Sequence, residues 1–214
     1  MAVVGNLAKI AAQLNLTNGQ KIRVDLPPLI LMTDDQRLPD PTEYIPQLPS
    51  GSAIVLRYRD EIKRNATAKR LVGECRAHRI LMFIAGDFQL ATKIGADGVH
   101  LSEIQARRQA TMLAIGRARK RNPRLIITAA AHSFSALQKA QLIGADAALL
   151  SPIFPTASHP DRAHLGPTRF AGLVRKAAPM PVYALGGVNP ANAARLRGSG
   201  AVGIAGVSSV ISSE

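Results

Sequence analysis

The chain has 214 residues, 47% of them hydrophobic, enough for one α/β domain with a sizeable core. No apolar run approaches the roughly 20 residues of a membrane span, and the N-terminus lacks the basic start and long apolar stretch of a secretory signal, so no membrane partner and a cytoplasmic location are expected. Lys and Arg number 27 against 14 Asp and Glu, a net charge of +13, and the single Cys75 can form no internal disulfide, which fits a reducing compartment.

Residues 3–15 carry apolar positions at three- and four-residue steps and predict an N-terminal helix, within an extension covering residues 1–24. Eight apolar runs then predict strands: Leu29–Met32, Ala53–Leu56, Ile80–Ile84, Gly98–Leu101, Leu125–Ala129, Ala147–Leu150, Val182–Leu185 and Val202–Ala205. Several are continuous, as in parallel strands covered on both faces. Between them, Ile62–Ala77, Gln89–Ile94, Ile104–Arg121, Ala136–Ile143, Pro167–Ala177 and Pro190–Gly198 read as helices. Ser135-Ala136-Leu137-Gln138 has the form of a capping box, and Asn189-Pro190 that of a cap with Pro at the first helical position. Residues 34–52, with Pro39, Pro41, Pro46 and Pro49, admit at most a short helix. Cys75 falls in the second helix and reads as a half-buried small residue rather than a nucleophile.

Three phrases repeat one grammar: Gly95-Ala96-Asp97-Gly98, Gly144-Ala145-Asp146-Ala147 and Gly200-Ala201-Val202-Gly203. Each follows a helical stretch and precedes a strand. The leading Gly suits a left-handed residue just past a helix end. A helix-turn-strand unit recurring about every 50 residues, with eight strands in one undivided domain, predicts a (β/α)8 TIM barrel over residues 1–214 with an extra N-terminal helix. That helix either plugs the barrel bottom or mediates a homodimer.

In such a barrel, chemistry sits on the loops after the strands. Strand 8 leads into Val207-Ser208 and strand 7 into Gly186-Gly187, where glycine lets a ligand approach the backbone; this favours a phosphate site, with glycines that serve only a tight turn as the alternative. Strand 6 leads into Ser151-Pro152-Ile153-Phe154-Pro155-Thr156-Ala157-Ser158-His159-Pro160, whose hydroxyls and His suit anion capture or a lid. An ordinary surface loop is the alternative. His132 at the end of strand 5 either relays protons or only hydrogen-bonds a neighbouring loop. Arg57 and Arg59 after strand 2 alternate to one side and favour an anionic ligand; outward pairing with Asp60 or Glu61 is the rival reading. The stretch from Gln105 to Ile143 has no acidic residue, and Arg107, Arg108, Arg117, Arg119, Lys120, Arg121 and Arg124 crowd its first half. Without a nucleic-acid motif this reads as a solvated basic helix face, and a nucleic-acid partner is not expected.

Taken together, Gly95-Ala96-Asp97-Gly98-Val99-His100-Leu101, Ala131-His132-Ser133, Pro152-Ile153-Phe154-Pro155-Thr156 and Gly186-Gly187-Val188 resemble the thiamine-phosphate synthase and TenI family. The likeness runs from Leu29 to Ile211. It implies a (β/α)8 barrel and one of two activities. The synthases join an aminopyrimidine pyrophosphate to a thiazole phosphate with magnesium; TenI aromatises the thiazole phosphate without a metal. By resemblance, Gly187, Val207 and Ser208 match a phosphate cradle, Thr156 a thiazole-side contact and His132 a proton shuttle. The synthase pattern is broken elsewhere. Its Gln-Leu-Arg-x-Lys is Val55-Leu56-Arg57-Tyr58-Arg59 here, its Asn-Asp-Asp is Ala85-Gly86-Asp87, and its Gly-Gln-x-Asp is Ser102-Glu103-Ile104-Gln105. The two implied magnesium ligands are thereby Gly86 and Gln105. The family's Thr-x-Thr-Lys is Thr156-Ala157-Ser158-His159, without the fixed charge.

The expectation is a protein of thiamine metabolism that binds a phosphorylated small molecule and carries out TenI-like proton transfer at His132 without a metal. Its ligand contacts would come from Arg57, Arg59, Thr156, Ser158, His159, Gly186, Gly187, Val207 and Ser208. Two alternatives stay open. One is an active synthase with Mg2+ displaced onto Asp87 and Glu103. The other is a non-catalytic binder of a phosphate ligand.

Overall fold

Side-chain alternation divides every strand between two cores, and that division locates the site. The computed structural model describes residues 2–17, 25–38, 40–156 and 163–207. Its strands are β1 Leu29–Met32, β2 Ala53–Leu56, β3 Leu81–Ala85, β4 Gly98–Leu101, β5 Ile126–Ala131, β6 Ala147–Leu150, β7 Val182–Leu185 and β8 Gly203–Gly206. All pair in parallel and in chain order, and β8 closes the barrel on β1 with Leu29 opposite Ile204 and Ile30 opposite Ala205. The predicted (β/α)8 barrel is thus the observed fold. β3, β5 and β8 begin one residue later than predicted, and β5 runs on to Ala131.

Ile30, Met32, Ala53, Val55, Phe83, Ala147, Leu149, Tyr183 and Ala205 form the inner core, while Leu29, Leu31, Ile54, Leu56, Ile84, Val99, Ile127 and Leu150 face the helices. The inner layer interlocks large and small residues. A Cβ on Gly98 would lie 2.6 Å from the Phe83 ring, and one on Gly203 would lie 2.7 Å from Tyr183. The Tyr183 hydroxyl donates to Pro27 O at 2.6 Å and closes the lower end of the barrel.

The helices are α1 Ala2–Thr17, α2 Glu61–Ala77, α3 Phe88–Ile94, α4 Glu103–Ala106, α5 Gln109–Arg121, α6 Phe134–Leu142 and α7 Gly166–Ala177. α1 buries Leu7, Ile10, Ala11 and Leu14 in the outer core beside β1 and β8. Asn15 anchors its end by donating to Val202 O at 2.9 Å. Cys75 is buried in the same outer core, and burial pushes its thiol up to about 12, far from a nucleophile's range.

The repeated phrases are structural joints. Gly95, Gly144 and Gly200 all have positive φ, at 67°, 78° and 84°. After Gly95 and Gly144, Ala96 N–H donates to Ala91 O and Ala145 N–H to Ala140 O, the long bond of a Schellman end. The Asp then staples the next strand to the previous one. Asp97 Oδ2 accepts from Met82 N at 2.8 Å, and Asp146 Oδ2 accepts from Ile127 N at 2.7 Å. Val202 in the third phrase keeps only the backbone bond, its N–H donating to Val182 O at 2.9 Å.

α2, α3 and α7 begin one residue earlier than predicted, and three helix predictions depart further from expectation. The predicted helix Ile104–Arg121 breaks into α4 and α5, because a capping box forms at Ser102 and Gln105 and the chain turns through an extended Arg108. The predicted capping box at Ser135 lies inside α6; the cap is Ser133, whose Oγ accepts from Ala136 N at 3.1 Å. Pro190–Gly198 holds only a 3-10 turn at Ala193–Leu196. There Asn189 Oδ1 takes the N–H groups of Ala191 and Asn192, so side chains compete for the bonds a helix would need. Residues 42–47 form the short helix admitted in the Pro-rich stretch.

Candidate functional site

Inward parity brings Met32, Ala85, His100 and Ala130 to the upper rim of the barrel, joined by Arg57 just past β2. They line a cavity of about 690 Å³ with Arg64, Asp87, Ser102 and Gln105. It opens at the carboxyl ends of β1 to β5, where barrels carry their chemistry. A second cavity of about 770 Å³, lined by Asp25, Leu81, Asp97 and Arg124 among others, lies at the opposite end.

Arg57 is anchored toward β1. Its Nε donates to Thr33 O, and its Nη2 lies 3.3 Å from Asp34 Oδ2. Its backbone N–H donates to Thr33 Oγ1 at 3.0 Å. Arg59 separates from it because β2 ends at Leu56. Its side chain is exposed and does not line the cavity, while its backbone N–H donates to Asp35 Oδ2 at 3.1 Å. His100, which sequence reasoning passed over, is buried under the cavity. Its Nδ1 lies 2.9 Å from Thr128 Oγ1, and burial, aided by nearby Arg57, pushes its pKa down to about 4. Period-two alternation from Gly98 is the signal that would have turned it inward.

His132 and Glu103 meet across the ends of β5 and β4. Glu103 Oε2 lies 2.8 Å from His132 Nδ1 and accepts from His132 N at 3.0 Å; its Oε1 accepts from Arg107 at 2.6 Å. Burial alone would raise the Glu103 carboxyl, but the bonds from Arg107 and then His132 outweigh it and hold the group below its ordinary 4.5. A carboxylate on Nδ1 makes that nitrogen the N–H, leaving Nε2 as the basic nitrogen.

Asp87 is the N-cap of α3. Its Oδ1 accepts from Leu90 N at 2.8 Å, and its Oδ2 pairs with Arg64 Nη2 at 3.0 Å. The two positions where resemblance implies magnesium ligands, Gly86 and Gln105, are in contact. Gln105 Nε2 donates to Gly86 O at 3.2 Å, and Gln105 Oε1 accepts from Ser102 N at 3.0 Å. A Cβ on Gly86 would collide with that amide. A backbone carbonyl and a neutral amide, already bonded to one another, do not fit magnesium, which takes carboxylate oxygens and keeps several waters. Among the described residues no group of three or more His, Cys, Asp or Glu is placed to hold a metal ion.

The other half of the mouth is built by the loops after β6 and β7. Ile153 N–H donates to Leu185 O at 3.1 Å and Phe154 N–H to Gly186 O at 3.0 Å, laying the Pro-Ile-Phe-Pro-Thr phrase on the Gly-Gly turn. Gly186 and Gly187 have φ of 91° and 69°. A Cβ on Gly187 would meet Pro155 O and lie 2.7 Å from Phe154 O; one on Gly186 would lie 3.5 Å from Thr156. The two phrases are one structural unit, which explains their joint appearance. Val207 stands beside this turn, because Leu185 and Ala205 are in register on β7 and β8. Ser158, His159 and Ser208 lie outside the described residues.

The basic run falls on α5 and its flanks. Arg119 pairs with Asp146 at 2.7 Å and Arg107 with Glu103 at 2.6 Å. No helix among the described residues is long and apolar enough to cross a membrane.

Comparison with known proteins places the chain in a family. The family model described as thiamine monophosphate synthase, TMP-TENI, matches residues 29–210. The thiamine-phosphate synthase of Bacillus velezensis is 28% identical, over 86% of this chain and 83% of its own length. That of Chloroflexus aurantiacus is 31% identical, over 77% of this chain and 74% of its own. The solved thiamine phosphate pyrophosphorylase of Pyrococcus furiosus superposes with a TM-score of 0.69 at 27% identity, covering 88% of each chain. With the match spanning the whole barrel, the chain belongs to the thiamine monophosphate synthase/TenI family.

Proposed function

We propose that this protein binds a thiazole phosphate and moves a proton on it without a metal, in the manner of TenI rather than of the synthases. The observation that carries this reading is the hydrogen bond from Gln105 Nε2 to Gly86 O, which joins the two positions that a magnesium-dependent site would fill with carboxylates. Departure of pyrophosphate needs its charge neutralised. Tautomerisation of a thiazole needs only a base and a return path for the proton, so its chemistry survives that replacement.

In this reading the Gly186-Gly187 turn and Val207 seat the phosphate, and Thr156 borders it. His132 Nε2 takes a proton from ring carbon and returns it elsewhere on the same ring, with no net change in charge or oxidation state. Glu103 holds the imidazole by Nδ1 and balances the imidazolium formed between the two steps. His132→Ala should abolish aromatisation of the thiazole phosphate tautomer, followed by NMR, while thiazole phosphate still binds. Unchanged turnover would refute the assignment.

The names of the relatives favour the other reading, an active synthase. It would need Mg2+ on Asp87 and Glu103. Those carboxylates are engaged by Arg64 and the α3 cap, and by Arg107 and His132, respectively. A non-catalytic phosphate binder would leave the Glu103–His132 pair without a task.

A further inference from the structure

Where the eighth helix of a barrel would stand, the chain after the Gly186-Gly187 turn forms only the 3-10 turn Ala193–Leu196. The residue that opens this turn bonds back to the glycines. Asn192 Nδ2 donates to Gly187 O at 2.8 Å, while Asn192 Oδ1 accepts from Asn189 N at 2.9 Å. Both ends of one side-chain amide are engaged, and the Gly187–Val188 peptide is held by its carbonyl. That peptide is trans, so its N–H points away from its C=O. Fixing Gly187 O on Asn192 therefore aims Val188 N–H in the opposite direction. Among the described residues, the N–H groups of Gly187 and Val188 meet no acceptor.

Arg195 holds the other layer. Its guanidinium lies over the Phe154 ring, 5.3 Å from the centroid. Phe154 is buried, its N–H donates to Gly186 O at 3.0 Å, and its carbonyl is one of the atoms a Cβ on Gly187 would strike. Arg195 N–H donates to Asn192 O at 3.0 Å, and the three-residue period of such a turn puts the two side chains on one face. That face grips the Gly187 carbonyl through Asn192 and the Phe154 ring through Arg195. The Asn189 side chain already closes the loop on Ala191 and Asn192, so loop closure requires neither contact.

We infer that Asn192 and Arg195 are positioning residues for phosphate binding, a clamp that holds the N–H groups of the Gly-Gly turn ready for the anion. The inference rests on the reading above in which that turn seats the phosphate. Donors fixed in advance bind an anion without the cost of ordering them at the moment of binding. Neither residue takes part in the proton transfer at His132, so the clamp governs affinity and leaves the chemical step alone.

The test is titration of thiazole phosphate into the full isotope-labelled chain, read by calorimetry and by the amide resonances of Gly187 and Val188, with turnover measured in parallel. Asn192→Ala should shift the Val188 amide in the free protein and weaken binding roughly tenfold. Arg195→Met keeps the stem of an exposed side chain, so it should fold, and it should weaken binding about three- to fivefold; Arg195→Lys keeps the cation over the ring and should stay within about twofold of wild type. In each variant KM should follow Kd while kcat at saturation holds, whereas a general loss of structure would lower both. Phe154→Leu removes the ring, and adding Arg195→Met to it should cost nothing further. Additive losses in that double variant, or wild-type affinity in both Asn192→Ala and Arg195→Met, would overturn the clamp. No binding by wild type, or binding that leaves the Gly187 and Val188 amides unmoved, would overturn the cradle and the clamp with it. The two failures read out separately, because only in the first does wild type bind and move those amides.

Discussion

Removing the Glu103 carboxylate is the sharpest probe of the proposed chemistry. One oxygen, Oε2, serves both the backbone N–H and Nδ1 of His132, at 3.0 and 2.8 Å. In Glu103→Ala the imidazole loses its orientation and its tautomer control together. His132 is 44% exposed, so water replaces part of what is lost and the stability cost is set at about 1 kcal/mol. The kinetic cost is larger, because only the tautomer with a bare Nε2 is a base. Loss of that bias corresponds to roughly 1.4–2.7 kcal/mol in the barrier, a ten- to hundredfold fall in turnover. Glu103→Gln should lie nearer tenfold. Its oxygen can still accept from Nδ1–H while Arg107, 47% exposed, turns to solvent, but the counter-charge is gone. The Glu103 carboxyl is held below its ordinary 4.5 in the fold. Its stabilisation is therefore complete above that value and fades as pH falls through the lower, folded pKa. Urea unfolding of wild type and Glu103→Ala should differ at pH 7 and converge in acid. Wild-type turnover by Glu103→Ala, with the protein folded, would refute the dyad.

Gly187→Ala must place a side chain at a φ of 69° and push a methyl between Pro155 O and Phe154 O. It should cost at least ~2 kcal/mol by urea unfolding and abolish thiazole phosphate binding. Asp146→Ala removes the acceptor for both Ile127 N and Arg119. A loss of about 2 kcal/mol is expected, whereas Val202→Ala at the equivalent joint should lose only packing. His100 stays neutral in the fold down to about 4, against an ordinary 6.5, so the unfolded chain gains the proton first. Stability should fall by roughly 3 kcal/mol as pH drops from 6.5 to 4, and His100→Gln should remove most of that slope.

The architecture was legible because its signals are local. The αL glycines at Gly95, Gly144 and Gly200 and the apolar runs after them each specify a joint without reference to the rest of the chain. The neighbouring positions of Gly186-Gly187 and Val207 were legible for a similar reason: they sit on adjacent strand ends. Boundaries failed where side chains choose between partners. Ser102 and Gln105 close a capping box that splits a predicted helix, while the equally formed Ser135 signal lies inside one. The pairing of Glu103 with His132 was not legible. Glu103 and His132 are 29 residues apart and meet only because β4 and β5 are neighbours. Arg64 gave no signal either, since its target Asp87 lies across from it on α3, 23 residues away.

The most direct measurement combines the purified protein with aminopyrimidine pyrophosphate, thiazole phosphate and magnesium, and quantifies thiamine phosphate. The Gln105–Gly86 bond predicts no product above a no-enzyme control, from protein that binds thiazole phosphate. Magnesium-dependent product that disappears with a chelator would show that synthase chemistry persists through other residues, and would contradict the metal-free reading.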